Sequence, residues 1–197
     1  MDQIIEWLSE NYIEVLGAIL GFLYIIFSIR QNILTWLTGL ITSALYIYVF
    51  FASKFYADMA LQVYYVIISI YGWIHWVKGT SGDHKTSLPI TRLDMKTGII
   101  LAIASVALYI SIFLILKNFT DSPVPHGDAL ATALSIIATW MLARKIVEHW
   151  LVWIFVDAFS IGLFIYKSLW PTTILFFVYT VMAYIGYIKW KKEIQQD

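Results

Sequence analysis

The chain contains no cysteine, so it has no disulfide framework and no thiolate metal site. Charge is scarce too. Only 13% of the 197 residues are Asp, Glu, Lys or Arg, against roughly 25% in an average soluble domain. That is too little to coat a water-facing surface. The 13 basic and 13 acidic residues cancel, so nothing favours a nucleic-acid partner. No GxxxxGK[ST] loop is present, so the chain does not itself hydrolyse ATP. There is no HExxH and no dense cluster of His and acidic residues, so intramembrane metalloproteolysis is unsupported, and no cofactor is expected. No His at membrane depth is placed to activate a Ser or Thr. A cleavable signal peptide is not expected: the N-terminal end carries Asp2, Glu6, Glu10 and Glu14 and no Lys or Arg, the reverse of a signal n-region.

What is abundant is apolar surface, at 60% of residues. A spanning helix needs about 20 mostly apolar residues. Apolar runs bounded by polar flanks give seven spans, near 13–29, 33–51, 57–77, 97–117, 128–143, 149–166 and 170–189. The runs are continuously apolar, without the alternation of barrel strands. The expected fold is therefore an all-α integral membrane protein with seven transmembrane helices, in contact with lipid and without room for a soluble catalytic domain. Gly17 and Gly21 form a GxxxG in the first span, a signature of close helix packing. Aromatics make up 17% of the chain, more than two interfacial belts need, so some are expected to line a binding site.

With the N-terminus outside, the cytoplasmic side receives Arg30, Lys78, Lys85, Arg92, Lys96, Arg144, Lys145, Lys189, Lys191 and Lys192. The outer side receives Lys54, Lys117 and Lys167. The split is ten against three, and an excess of Lys and Arg marks the cytoplasmic loops. The longest loop, Lys78 to Lys96, reads as a flexible connector.

A shift of 114 residues aligns the chain with itself without a gap. Arg30 meets Arg144, Trp36-Leu37 meets Trp150-Leu151, and Tyr65 meets Tyr179. Gly72-Trp73-Ile74-His75-Trp76 meets Gly186-Tyr187-Ile188-Lys189-Trp190. The shift carries spans 1, 2 and 3 onto 5, 6 and 7. Four crossings is an even number, so the halves share one orientation. This is a parallel 3+1+3 plan within one transmembrane domain: repeat 1 at about 13–77, a linker helix at about 97–117, and repeat 2 at about 128–190. Parallel repeats of this kind occur in transporters, with substrate expected at the repeat interface. The other reading is an old duplication with no shared site.

Asp157 is the sharpest candidate. It lies about 12 Å into the sixth span at 1.5 Å per residue, inside a hydrocarbon core about 30 Å thick. A carboxyl group there needs a partner, a cavity or a proton. It is either a ligand or ion site, or a neutral tie to a neighbouring helix. Trp150, Trp153, Asp157 and Ser160 share one helix face, and Trp36, Gly39, Ser43 and Tyr46 repeat it in the second span. Indole faces can sandwich a planar ring and attract cations; Trp150 reads equally as an interfacial belt residue. Gln62 in the third span can donate and accept at once, to a ligand or to another helix. Asp58 reads as a wet helix-start residue. Glu148 and His149, beside Arg144 and Lys145, read as a solvated charge cluster, and His75 as interfacial.

Phe55-Tyr56-Ala57-Asp58-Met59-Ala60-Leu61-Gln62, with Ile70-Tyr71-Gly72-Trp73, resembles the third-helix signature of the PnuC family of vitamin transporters. Arg144-Lys145, Glu148, Trp150-Leu151-Val152-Trp153 and Asp157 resemble the family's WxxWxxx(N/D) element. The resemblance covers nearly the whole chain. It implies a fold shared with the SWEET sugar transporters, a homotrimer, uptake by facilitated diffusion, and trapping by cytoplasmic kinases that phosphorylate the vitamin. Nicotinamide riboside members typically carry Asn where this chain has Asp157. An ionised carboxylate only accepts hydrogen bonds. It suits the exocyclic amine and thiazolium charge of thiamine, so thiamine is favoured over nicotinamide riboside. Trp150, Trp153, Asp157, Gln62, Trp36, Ser43 and Tyr46 are the expected substrate-binding residues. An integral-membrane enzyme acting on lipid, or a receptor or structural partner, are the readings from other classes.

The topology is directly testable. A reporter joined after Asp197 is expected to be active only in the cytoplasm; activity on the outer side would refute the N-out, C-in arrangement.

Overall fold

The computed structural model describes residues 12–52, 56–79 and 88–195. They form seven helices: α1 (Tyr12–Ile29), α2 (Leu34–Ala52), α3 (Tyr56–Lys78), α4 (Met95–Phe119), α5 (Pro125–Ala143), α6 (His149–Tyr166) and α7 (Trp170–Ile194). Their ends lie within five residues of the expected spans. Among the described residues there is no strand, only an isolated bridge between Thr91 and Ile146. Five helices are long and apolar enough to cross a membrane: α2, α3, α4, α6 and α7. In α1 the described apolar stretch is shorter, Ile19–Ile29. α5 carries His126, Asp128, Ser135 and Thr139, and its face from Ala129 through Ala133, Ile137 and Met141 is buried by protein. A helix covered by its neighbours does not need an apolar surface all round. α4 is the opposite case. Ile99, Ile103, Val106, Ile110 and Leu114 are exposed along it, as lipid contact demands.

The chain divides into two units, residues 1–87 and 88–197. The first holds α1–α3 and the second α4–α7. In unit 1, α2 packs on both α1 and α3; in unit 2, α6 packs on both α5 and α7, and α4 packs on α5. The triplets α1–α3 and α5–α7 are thus built alike, as the 114-residue repeat requires.

The likeness extends to single bonds. α1 ends in a turn where the Gln31 N–H donates to the Ser28 carbonyl at 3.1 Å and the Asn32 N–H to Phe27 at 2.9 Å. At the end of α5, Lys145 N–H donates to Leu142 at 2.9 Å and Ile146 N–H to Met141 at 3.0 Å. Both are Schellman closures, which place one residue in the left-handed region. Those residues are Gln31 at φ 51° and Lys145 at φ 52°, and they are 114 apart. Neither is glycine, so each turn holds a backbone conformation that costs roughly 1–2 kcal/mol. The Asn32 side chain then accepts from Leu34 N–H at 2.9 Å and starts α2.

Each triplet is closed by two indoles and a glycine. Trp36 on α2 lies against Gly72 on α3 and meets Trp76 edge-on, ring centres 5.4 Å apart at 87°. Trp150 on α6 lies against Gly186 on α7 and meets Trp190 at 5.8 Å and 86°. All four indoles are buried. Edge-to-face pairs of this kind are worth about 0.5–1.5 kcal/mol beyond area burial. In α1, Gly17 is covered by the Tyr46 ring of α2, the close packing that its GxxxG predicts.

Unit 2 has two further ties. The chain entering α4 pairs with the α5–α6 turn: Thr91 N–H donates to the Lys145 carbonyl, and Val147 N–H to the Thr91 carbonyl, both at 2.9 Å. Leu93 N–H donates to a Glu148 carboxylate oxygen at 2.8 Å. At the other end, Lys167 is 2.8 Å from Asp128, which also accepts from Ser122 Oγ at 2.6 Å. Asp94 starts α4 by accepting from Thr97 N–H at 2.9 Å, and these bonds hold its carboxyl below the usual range.

A Cβ at residue 186 would sit 2.6 Å from the Trp150 ring. Gly186→Ala, and Gly72→Ala in the other unit, are therefore expected to cost about 1–3 kcal/mol by overpacking. Unfolding of the purified variants in detergent measures this; an unchanged midpoint for both would refute it.

Candidate functional site

The α2–α3 contact fixes an antiparallel register. Trp36 meets Gly72, and one turn further Gly39 meets Ser69. Continuing by one turn on each helix puts Ser43 level with Tyr65, and Tyr46 level with Gln62. Gln62, Tyr65, Ser69, Gly72 and Trp76 stand at helical spacing on one face of α3. Trp36, Ser43 and Gln62 therefore lie on the two facing stripes of α2 and α3. Ser43 is buried and Gln62 is half-buried. Tyr46 turns toward α1, where its ring covers Gly17, and stacks on Phe50 at 5.8 Å.

Unit 2 repeats the register. Trp150 meets Gly186, which puts Trp153 level with Ala183 and Asp157 level with Tyr179. Asp157 is 5% exposed. Among the described residues it makes no hydrogen bond and no ion pair. Ser160, one turn on, is also buried. Trp153 is half-buried, while Trp150 is 2% exposed. Trp150 thus differs from an interfacial belt residue: its indole packs inside the unit against Gly186, Trp190 and the His149 ring, the last at 4.5 Å. Trp36 is enclosed in the same way. The indole N–H groups of Trp36 and Trp150 have no hydrogen-bond partner among the described residues.

The solvated charge cluster expected at Arg144, Lys145, Glu148 and His149 is corrected. His149 is fully buried, and its Nδ1 lies 2.7 Å from the Ile146 carbonyl. Lys145 is 2% exposed. Burial pushes its ammonium down to about 8, and the charge of Glu193 at the end of α7 opposes that shift. Only Arg144 is exposed, over the Trp140 ring at 5.6 Å. The reason is tertiary: the strand-like pairing at Thr91 and the end of α7 close over the turn. His75 is half-buried and stacks on Tyr71 at 5.6 Å. The Asp58 side chain and residues 80–87 of the long loop lie outside the described residues.

Sequence reasoning passed over two tyrosines at the site's level. Tyr65 and Tyr179 face Ser43 and Asp157 by register. They were visible as matched residues of the repeat, but their place opposite the polar positions follows only from helix pairing. A cavity of about 320 Å³ lies elsewhere in unit 2, lined by Val106 and Tyr109 of α4, His126 and Leu130 of α5 and Phe159 of α6. None of the expected site residues lines it. Among the described residues no group of His, Asp and Glu could hold a metal ion.

Comparison with known proteins adds four findings. The family model described as "Nicotinamide mononucleotide transporter" matches residues 11–192. The nicotinamide riboside transporter PnuC of Escherichia coli is 24% identical, over 91% of this chain and 85% of its own length. The riboflavin/roseoflavin transporter RibM of Streptomyces davaonensis is 25% identical, over 93% of this chain and 86% of its own. The crystal structure of the vitamin B3 transporter PnuC superposes with a TM-score of 0.76 at 23% identity, covering 99% of this chain and 87% of that one. The superposition supports the all-helical fold.

Because Asp157 has no partner among the described residues, no hydrogen bond or ion pair is lost in Asp157→Asn, and the variant is expected to unfold no earlier than the wild type. Thermal unfolding in detergent checks this. A large loss would make the carboxyl a helix–helix tie.

Proposed function

The chain belongs to the nicotinamide mononucleotide transporter family, a family of transporters and not of enzymes, and from that premise we propose that it takes up nicotinamide riboside across a bacterial cytoplasmic membrane. The observation that carries this is the family match across nearly the whole chain, joined to a buried carboxyl group on the Trp153 face of α6. Relatives named for nicotinamide riboside and for riboflavin move the preference away from thiamine. The chemistry permits the move. Both cations suit a carboxylate, so charge does not separate them. A carboxyl group accepts from the carboxamide NH₂, and in its protonated form also donates to the carbonyl, as a side-chain amide does. The Asn-to-Asp departure therefore does not exclude a carboxamide.

Trp153 offers a half-buried indole to the planar ring, and Asp157 one turn deeper offers the polar contact. Trp150 and Trp36 act from behind, by holding the helix that carries each stripe. Gln62 and Ser43 provide hydrogen-bonding groups on the matching stripes of unit 1, and Tyr46 a hydroxyl on the α1 side of α2. Transport is facilitated diffusion by a homotrimer with its N-terminus outside, and retention in the cell depends on cytoplasmic phosphorylation of the vitamin. The chain carries no nucleotide-binding motif to drive uptake.

Uptake of labelled nicotinamide riboside into proteoliposomes tests the reading. The internal concentration is expected to stop at the external one without a kinase present, and unlabelled nicotinamide riboside should compete better than thiamine or riboflavin. Competition led by thiamine would restore the thiamine reading, and accumulation driven by a proton gradient would refute diffusion. In Asp157→Asn, nicotinamide riboside binding should fall less than thiamine binding, or rise. Thiamine binding should fall on the order of 10- to 100-fold, since a hydrogen bond to a charged group is worth about 1.5–3 kcal/mol. Parallel titrations read by Trp fluorescence decide, and unchanged affinity for both vitamins would remove Asp157 from the site.

A further inference from the structure

The cavity of about 320 Å³ in unit 2 is lined by none of the residues matched between the two repeats. It forms where α4 runs beside α5, with Phe159 of α6 also on its wall. The 114-residue shift leaves α4 without a counterpart, so the cavity has none either. Small residues open the space: Ser105 on α4, and Gly127 and Ala133 on α5. Leu130 and Leu134 complete an apolar wall. Val106 lines the cavity and is also 59% exposed. The cavity therefore opens at the edge of the α4 face whose exposed Ile103 and Ile110 meet lipid.

A pocket for a polar solute sets a few convergent polar groups among its apolar ones. Here the polar groups are already engaged. Ser105 Oγ donates to the Leu101 carbonyl at 2.7 Å. The Tyr109 hydroxyl lies 2.8 Å from His126 Nδ1. Along its length the cavity offers methyl groups and rings.

One end is different. The His126 ring stacks on Phe113 at 4.0 Å, and Lys117 Nζ lies over the same Phe113 ring at 5.7 Å. Both His126 and Lys117 are exposed. Of the two carboxylates nearby in the chain, Asp128 is held by Lys167 and Asp121 is exposed. Lys117 makes no ion pair among the described residues. With the Tyr109 hydroxyl donating to Nδ1, the neutral imidazole keeps its own proton on Nε2 as a donor. A cation and an N–H donor thus stand at the mouth of an apolar slot. The length also fits. Twelve residues of α4 separate Lys117 from Ser105, about 18 Å at 1.5 Å per residue. One leaflet of hydrocarbon is about 15 Å deep, half of a core about 30 Å thick.

We propose that this cavity binds one acyl chain of a glycerophospholipid, with the headgroup phosphate at Lys117 and His126. The lipid fills the gap between the linker helix and the second triplet. The site is independent of the vitamin-uptake reading, and its test requires no uptake.

Full-length protein in a nonionic detergent is titrated with phosphatidylcholine that carries a photoactivatable diazirine midway along one acyl chain. Labelled residues are mapped by peptide mass spectrometry. Saturable labelling is expected at Leu130, Leu134 and Phe159. Ser105→Phe fills the slot from α4; it should abolish that labelling and leave any labelling of Ile103 and Ile110 in place. If Ser105→Phe does not fold, Val106→Trp fills the slot from its rim instead. The double variant Lys117→Gln/His126→Gln should raise the half-saturating lipid concentration roughly 5-fold or more, the effect of losing one basic contact to a headgroup. Inorganic phosphate should not compete, since the chain supplies the burial. Absence of cavity labelling, cavity labelling that survives the filling variant, or an unchanged half-saturation in the double variant would each overturn the proposal. Displacement of the label by nicotinamide riboside or thiamine would make the cavity a vitamin site and overturn it too.

Discussion

In a bilayer the hydrophobic effect does not draw one apolar helix to another, so helices are held by close packing and by the few polar groups they share. Here that packing is an indole laid against a glycine. Trp36 on Gly72 and Trp150 on Gly186 each lock the second helix of a triplet to the third. The edge of a second indole, Trp76 or Trp190, closes the contact from the side. Everything else in each triplet takes its place from this lock. It sets the antiparallel register, and the register decides which side chains one or two turns away come level with each other.

The candidate site follows from that geometry. Two turns past the lock comes a small or charged polar group beside a tyrosine. Unit 1 reads Ser43 level with Tyr65. Unit 2 reads Trp153, then Asp157 level with Tyr179. The two triplets keep the same scaffold and differ in the chemistry mounted on it. Trp36 and Trp150 belong to the scaffold by their burial. Trp153 and Asp157 belong to the mounted chemistry.

The charged turn at Arg144–His149 shows where reading along the chain stops. Four polar residues in six positions look wet. Three are drawn inward or engaged because the segment at Thr91 pairs with the turn, and because the end of α7 brings Glu193 to Lys145. Those partners are 50 or so residues away in either direction, and no local pattern announces them.

The sequence by itself determined the helices, because a bilayer admits only long apolar segments with their backbone groups satisfied internally. It also determined the duplication, because the lock needs Trp, Gly and Trp at fixed spacing in each half. It placed the Asp157 stripe as well, since 3.6 residues per turn puts Trp150, Trp153, Asp157 and Ser160 on one face whatever surrounds them. The tertiary structure alone decided which of those residues packs against a neighbouring helix, as Trp150 does on Gly186, and which is buried without a partner among the described residues, as Asp157 is. Burial and register are set by the helix that packs alongside, and helical periodicity carries no information about that neighbour.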